Sequence, residues 1–522
     1  MRTTKPLLVA FILLAISTVA LGDDWPTFHG NIALTGVSSS KAPDTNHVLW
    51  TYETSRPIFS SPAVAGGKVY VGSTDSHLYC LDKYTGALIW SFNALSSIRS
   101  SPAVADGRVY FLSEAGSLHA LNAEDGSALW QAPIGNGPWD WASPAVHDGN
   151  VFIASSTGLL YSFVAATGAL NWTTQINGSP DSPLTVAGGM VFSGTHNFTN
   201  VSPTLVAVNE STGAIQWTYD YYLYHAGVTG MVNSNGAAVV DADGDGDLEV
   251  FFAVYNWSGT GPQAVCLDAV NGAEVWTRTL LGNSTSTPAV HDGRVFVGSD
   301  SGSLFALDAL NGAPLWNFPT GASVWSAPAV SGDGKVCFGS LDHTVYCVKE
   351  SDGTPIWSYF TGASRLVSSP ALSEGVLFVG NENGKVYAFG PLRAAVDIHP
   401  RSCPNPLNVK SLGVLPVAIL GGEGFDVSAI DVSTIRLAGV APLRSAIEDV
   451  STPPDSSTAC ACTTAGADGD ADLTLKFDRQ AIAATLGAVT DRTEVRLTLS
   501  GRLLDGTPFE GSDCVRVQIS GK

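Results

Sequence analysis

From residue 60 to residue 390 short apolar runs alternate with small clusters of Gly, Asp, Asn and Ser. One stretch shows the unit. Ser61-Pro62-Ala63-Val64 is a brief apolar run opened by Pro, where a strand tolerates a missing N–H. Lys68 to Ser73 (KVYVGS) alternates and is β-branched, His77 to Asp82 (HLYCLD) is a third run, and Ala87 to Trp90 (ALIW) a fourth. Turn-forming residues separate them, so the unit predicts four short strands.

The unit recurs. Tryptophans stand at 50, 90, 130, 172, 217, 276, 316 and 357, at spacings of 40, 40, 42, 45, 59, 40 and 41. From Trp90 onward each closes a phrase of the form TGALIW, DGSALW, NGAEVW or DGTPIW. About forty residues and four strands per repeat is the pattern of a propeller blade; a helical solenoid lacks the required periodicity. The indoles are expected to dock between blades. The last copy stops at Gly390 after three strands, and Trp50 lies in a fourth strand with no preceding three. Joined, they make eight blades and leave no open edge. The expected fold is all-β: an eight-bladed β-propeller over residues 50–390, preceded by an arm at 23–49 and followed by a smaller β-sandwich at 391–522.

The TG-x-x-x-W turns, the VYVGS-x-D strands and the segment DWPTFHGNIALTG at 24–36 resemble the pyrroloquinoline-quinone-type repeat family. The resemblance covers residues 24–390 and implies the propeller. It implies less about activity, since the family includes quinoprotein dehydrogenases, which bind the quinone and Ca²⁺, and scaffolds such as the bacterial outer-membrane assembly factor, which bind neither. The adjacent cysteines that the dehydrogenases place beside the cofactor are missing, and no C-x-x-C-H occurs for covalent haem. His29, His119, His147, His225 and His343 follow no motif and read as surface or turn residues. On these grounds the quinone is not expected.

Composition narrows the partners. The chain has 45% hydrophobic and 14% charged residues, which argues against disorder, and a net charge of −21, which makes it a poor partner for nucleic acid. Arg2 and Lys5, the apolar stretch Leu7 to Leu21 and the small residues Ala20 and Gly22 read as a secretory signal peptide at 1–22. Secretion, to the periplasm or the cell surface, is the expected destination. No later apolar run is long enough to span a membrane.

Within the 59-residue repeat lies Asp241-Ala-Asp243-Gly-Asp245-Gly-Asp247-Leu-Glu249. Oxygen ligands at positions 1, 3, 5 and 9, with Gly at 6 and the Asp247 carbonyl at 7, suit Ca²⁺. A strand follows instead of a helix. The loop resembles the calcium loops of FG-GAP repeats, and a structural ion is expected, with a solvated acidic turn as the alternative. Asp468, Asp470 and Asp472 are a second candidate. Residues just before each SPAV run belong at one mouth of the channel: Arg56, Phe59, Arg99, Trp139, Trp141, Trp325 and Arg365. They are ligand-binding candidates, as are Tyr219, Tyr221, Tyr222 and Tyr224; inter-blade packing is the alternative for these aromatics.

Beyond Gly390, runs such as VLPVAILG, DLTLKFD and EVRLTLSG predict strands, and Arg479 to Leu486 a short helix. The module is similar to one at the C-termini of bacterial secreted proteins. Cys403, Cys460, Cys462 and Cys514 are expected to form two disulfides, with the Cys460–Cys462 pairing discounted and zinc as the alternative. Cys337 and Cys347 occupy neighbouring strands and read either as a cross-hairpin disulfide or as two buried thiols; Cys80 and Cys266 are expected to stay unpaired.

The functional expectation is a secreted, non-enzymatic propeller that binds a protein or glycan partner. The alternatives are a calcium-dependent quinoprotein oxidoreductase and a glycan-binding surface protein.

Overall fold

The computed structural model describes residues 24–135, 142–176, 178–180, 182–197, 204–225, 232–234, 236–256, 263–422, 425–452, 463–487 and 489–519. The leader at 1–22 therefore lies outside the described residues.

Eight sheets form a propeller. In the first blade the strands Ala63–Ala65, Lys68–Gly72, His77–Asp82 and Leu88–Asn93 pair antiparallel from the innermost outward. The same order repeats through six further blades. The eighth is built from Ala371–Ser373, Val376–Gly380 and Lys385–Phe389, and its outermost strand is Val48–Glu53 from the N-terminal side. Trp50 pairs with Ala388 and Tyr52 with Val386. The innermost strands touch in sequence around the ring, and Ala371–Ser373 closes onto Ala63–Ala65.

The tryptophans hold the blades together. In every blade a β-bulge in the outermost strand immediately precedes the Trp, and such a bulge re-aims a side chain. Each indole Nε1–H then donates to a carbonyl beyond its own blade: Trp50 to Lys83 at 3.0 Å, Trp90 to Ala123 at 3.3 Å, Trp276 to Ala309 at 2.7 Å. The ring face lies against the turn glycine of the next blade. Gly86 has φ +71°, and a Cβ there would sit 2.6 Å from the Trp50 ring. This explains the TG-x-x-x-W phrase twice over, since the glycine meets a left-handed turn and a close indole. Trp357 instead donates to Pro43 at 2.8 Å, so the arm stands in for the missing turn.

The arm has a second task. The carbonyls of Trp25, Pro26, Ile32, Ala33, Thr35 and Gly36 accept N–H bonds of 2.7–2.9 Å from Val64, Val104, Val186, Val239, Val290 and Val330. These valines belong to the innermost strands of six blades, so residues 25–36 cross the end of the central channel. Trp25, only 1% exposed, His29 and Leu34 are buried there. His29 places Nδ1 2.7 Å from the Leu34 carbonyl and Nε2 2.8 Å from that of Pro328. Burial pushes its pKa down to about 4, against the pull of those carbonyls. His119 is also buried, stacked on Phe111. His29 sits in a turn, as expected, but a buried one; His119 is neither at the surface nor in a turn, since it lies within the strand Ser117–Asn122 whose face packs on Phe111.

The C-terminal module is a sandwich. One sheet holds Ala395–Ile398, Val414–Leu420, Asp472–Asp478 and Arg444–Glu448; the other holds Leu392–Arg393, Pro508–Gln518, Glu494–Leu503, Ile430–Leu437 and Asn405–Asn408. Ile398, Val417, Leu475, Phe477, Leu499 and Phe509 fill the space between them. The helix Arg479–Thr485 starts where the Asp478 side chain accepts from the Ala481 N–H.

Among the described residues no helix is long and apolar enough to cross a membrane.

Candidate functional site

Antiparallel order fixes what shares a face. The loop entering each innermost strand and the turn between the second and third strands lie at one end of the blade; the remaining two turns lie at the other. The arm covers the second end, where Asp24 accepts from the Gly66 N–H in a first-to-second-strand turn. The first end carries, among the described residues, Arg56, Phe59, Arg99, Trp325 and Arg365 on entry loops and Glu114, Asp300, His343 and Glu382 on the other turns.

These side chains interact. Trp325, 36% exposed, donates its indole N–H to Asp300 Oδ1 at 2.6 Å. Burial raises the Asp300 pKa, although the Trp325 and Ser323 hydrogen bonds lower it. Arg99 pairs with Glu114, and its guanidinium lies 4.6 Å from the centre of the Phe59 ring. Burial raises the Glu382 pKa, opposed by the charges of Arg365, His343 and Arg99. The Glu382 backbone N–H donates to the Arg365 carbonyl at 3.2 Å, which ties this turn to the entry loop of its blade. Arg56 and Arg365 are exposed. Trp139 and Trp141 lie outside the described residues. Asp300, Glu114 and Glu382 were missed in the sequence because each is a single acidic residue in a turn, where acids are ordinary.

The tyrosine cluster is mostly core. Tyr219 and Tyr221 are fully buried; Tyr224 is exposed and stacks on Tyr219 with centroids 5.0 Å apart. The side chain of Tyr222 is outside the described set.

The acidic loop Asp241 to Glu249 joins the first two strands of the fifth blade. It therefore lies on the face covered by the arm, opposite the end that carries Trp325 and Asp300. Carboxylate oxygens of Asp241, Asp243 and Glu249 lie within 4.8 Å of one another. Asp241 accepts from the N–H groups of Gly244 at 2.7 Å and Gly246 at 3.0 Å, and both glycines have positive φ. Asp245 and Asp247 are exposed beside this group. The second candidate does not assemble. Asp472 is buried and its carboxylate accepts from the N–H groups of Gly421, Val450 and Ser451. Asp468 and Asp470 stay exposed, because the strand beginning at Asp472 turns its first side chain inward. Elsewhere His147 Nδ1 meets Glu210, with Asp148 nearby, in a second three-residue group.

Cys337 and Cys347 are directly opposed across neighbouring strands and form a disulfide. Cys80 and Cys266 are free and buried. Burial pushes the Cys80 thiol up to about 12, which makes it inert. Cys403 and Cys514 are disulfide-bonded; Cys460 and Cys462 lie outside the described residues.

Comparison with known proteins adds relatives. The chain is 26% identical over 195 residues to a polyvinylalcohol dehydrogenase from a Pseudomonas species, an alignment covering 29% of this chain. It spans 28% of that relative's length. Among solved structures it is similar to the quinohemoprotein alcohol dehydrogenase of Comamonas testosteroni, with TM-score 0.59 and 16% identity over 70% of this chain and 80% of that one. It is also similar to a europium-containing methanol dehydrogenase, with TM-score 0.60 and 14% identity over 70% of this chain and 98% of that one. At such identities the solved structures speak for the fold. The expectation of a non-enzymatic scaffold is nevertheless overturned by the sequence relative, which is a dehydrogenase, and the exclusion of the quinone is left without support. That exclusion rested on a missing cysteine pair and missing motifs, whereas the repeat itself is set by blade packing and carries no record of the cofactor. A family profile described as outer membrane protein assembly factor BamB matches residues 36–137, 133–254, 249–324 and 319–434. The chain belongs to this PQQ-type repeat family.

Proposed function

We propose that the protein is a quinoprotein dehydrogenase that oxidises an alcohol at the open channel mouth. The observation that carries this reading is the pairing of Trp325 with Asp300 at the end of the blades that also carries Arg56, Arg99 and Arg365, on a fold similar to that of alcohol dehydrogenases.

The residues fit a flat, polyanionic quinone. Trp325 offers an indole face, fixed by its bond to Asp300. Arg56, Arg99 and Arg365 offer guanidinium groups to carboxylates. When bound, pyrroloquinoline quinone supplies the two-electron acceptor. The chain supplies the rest. Asp300 is a carboxylate whose pKa burial raises, held by the Trp325 indole N–H, and it would take the proton of the alcohol hydroxyl. Arg99, held by Glu114 and Phe59, orients what enters. The arm closes the far end, so substrate and solvent enter from one side.

Calcium in the Asp241 to Glu249 loop belongs to the same reading as a structural ion. Its place on the arm-covered face supports a role in bracing the fifth blade. The leader at residues 1–22 supports export, and alcohol-bearing polymers, glycans among them, are the partners that suit an open mouth.

Titration of the purified protein with pyrroloquinoline quinone, followed by absorbance and tryptophan fluorescence, tests the site. Saturable binding that weakens at least tenfold in Trp325→Ala and in Arg365→Ala supports it. Absence of binding, or binding indifferent to both substitutions, overturns it.

A further inference from the structure

On the arm-covered face the end of an innermost strand meets the third-to-fourth-strand turn of the next blade. Glu374 of the eighth blade reaches Lys83 of the first there, at 3.1 Å. At two such seams the sequence places the same three residues: His147, Asp148 and Glu210 between the third and fourth blades, and His291, Asp292 and Glu350 between the sixth and seventh. In both, a His ends the innermost strand and an Asp opens the turn with positive φ, 44° at Asp148 and 46° at Asp292. The carbonyls of Glu210 and Glu350 accept the indole N–H of Trp172 and Trp316, each at 3.0 Å, which fixes the backbone beneath the carboxylate. The Nδ1 of each His reaches that carboxylate.

The seams differ at one position. In the sixth blade the second strand opens on Arg294, whose Nη1 lies 2.8 Å from Asp292 Oδ2 and 3.9 Å from Glu350 Oε1. The two carboxylates there share a cation. In the third blade Asn150 stands in its place. The Asn150 amide donates to the Asp148 carbonyl at 3.2 Å, and its oxygen accepts from Asn171 at 2.8 Å. Among the described residues Asp148 and Glu210 have ion pairs with His147 alone. One imidazole nitrogen and one oxygen from each carboxylate nevertheless lie within 4.8 Å of one another, and among the described residues the sixth-blade trio does not gather in this way. Two carboxylates held so close favour a cation between them.

A nitrogen and two carboxylate oxygens suit a borderline divalent ion. Zn²⁺ takes imidazole and carboxylate ligands at about 2.0–2.2 Å, whereas Ca²⁺ and Mg²⁺ take shells of oxygen. Glu210 and His147 are held in place, with side chains 11% and 35% exposed; the Asp148 side chain, 83% exposed, closes the set by rotation. We propose that His147, Asp148 and Glu210 bind one Zn²⁺ ion, with water completing the shell, and that this ion ties the third blade to the fourth. The site is separate from the Asp241 to Glu249 loop and independent of any activity at the channel mouth.

Calorimetric titration with ZnCl₂ of the untagged full chain, stripped by chelator and carrying Asp243→Ala to disable the acidic loop, provides the test. This parent should bind one ion per chain. His147→Gln should weaken binding about tenfold or more. Asn150→Arg should do the same, by supplying the cation that the sixth blade already has. His291→Gln, the counterpart at the other seam, should leave binding unchanged. Melting separates binding from folding: in EDTA Asn150→Arg should melt no lower than its parent, and Zn²⁺ should raise only the parent's melting temperature. A parent that binds no Zn²⁺, undiminished binding in His147→Gln or in Asn150→Arg, or a loss in His291→Gln equal to that in His147→Gln would each overturn the proposal.

Discussion

Ser369 donates its backbone N–H to the hydroxyl of Ser61 at 2.9 Å, joining the eighth blade to the first across 308 residues. The same bond links Ser61 to Ser101 and Ser101 to Ser143, each at 2.9 Å. The serine of the SPAV phrase is thus a rivet between innermost strands. Ser61→Ala leaves the buried Ser369 N–H without an acceptor, at a cost of about 1–3 kcal/mol. Ser55→Ala, at an exposed loop position, should stay within about 0.5 kcal/mol of the parent. Urea denaturation of both variants checks the difference; equal midpoints would contradict it.

The glycine under each indole gives a second comparison. Gly86→Ala combines a left-handed φ with a Cβ 2.6 Å from Trp50. Gly66→Ala has φ +58° and no atom within 4 Å of the added carbon. The first should destabilise by about 2 kcal/mol or more, the second by about 1 kcal/mol. Thermal melts should preserve that order, and a reversed order would remove the indole from the account of the repeat.

Acid should weaken the second blade. Burial lowers the His119 pKa from 6.5 to about 4. The unfolded chain therefore binds a proton at this residue before the folded one does. Its contribution is whole above pH 6.5 and is lost as pH falls toward 4, amounting to about 3 kcal/mol at the end of that window. His119→Gln should flatten the pH dependence of stability over this range. An unchanged slope would mean that His119 is protonated in the fold.

Calcium should stabilise the fifth blade. Binding the folded state alone adds about 2.7 kcal/mol when free Ca²⁺ is 100 times Kd. Chelator should lower the melting temperature, and Asp243→Ala should remove the share of that response owed to the loop. A wild-type protein indifferent to chelator would leave Asp241 to Glu249 as an acidic turn closed by its own backbone.

The repeat was legible because each of its landmarks answers a steric demand that recurs in every blade: Pro at a strand start, Gly beneath an indole, Trp after a bulge. The closing strand around Trp50 was legible for the same reason, since a repeat with a missing quarter needs a partner. The path of residues 25–36 was not. The arm binds through backbone carbonyls to six valines, and backbone bonding leaves no periodic side-chain signature. The mouth carboxylates Asp300 and Glu382 were equally silent, being lone acids in turns. Asp468 to Asp472 misled in the other direction, because regular acidic spacing says nothing about which way Asp472 points.

Turnover at the channel mouth decides the central claim. The protein reconstituted with pyrroloquinoline quinone and Ca²⁺ is mixed with an artificial electron acceptor and offered methanol, ethanol, polyvinyl alcohol and oligosaccharides. At least one of these should drive dye reduction, and Asp300→Asn should lower kcat by about 10²-fold or more while quinone binding persists. A reconstituted, quinone-loaded protein that reduces no dye with any of these alcohols, or an Asp300→Asn variant with undiminished kcat, would contradict the account.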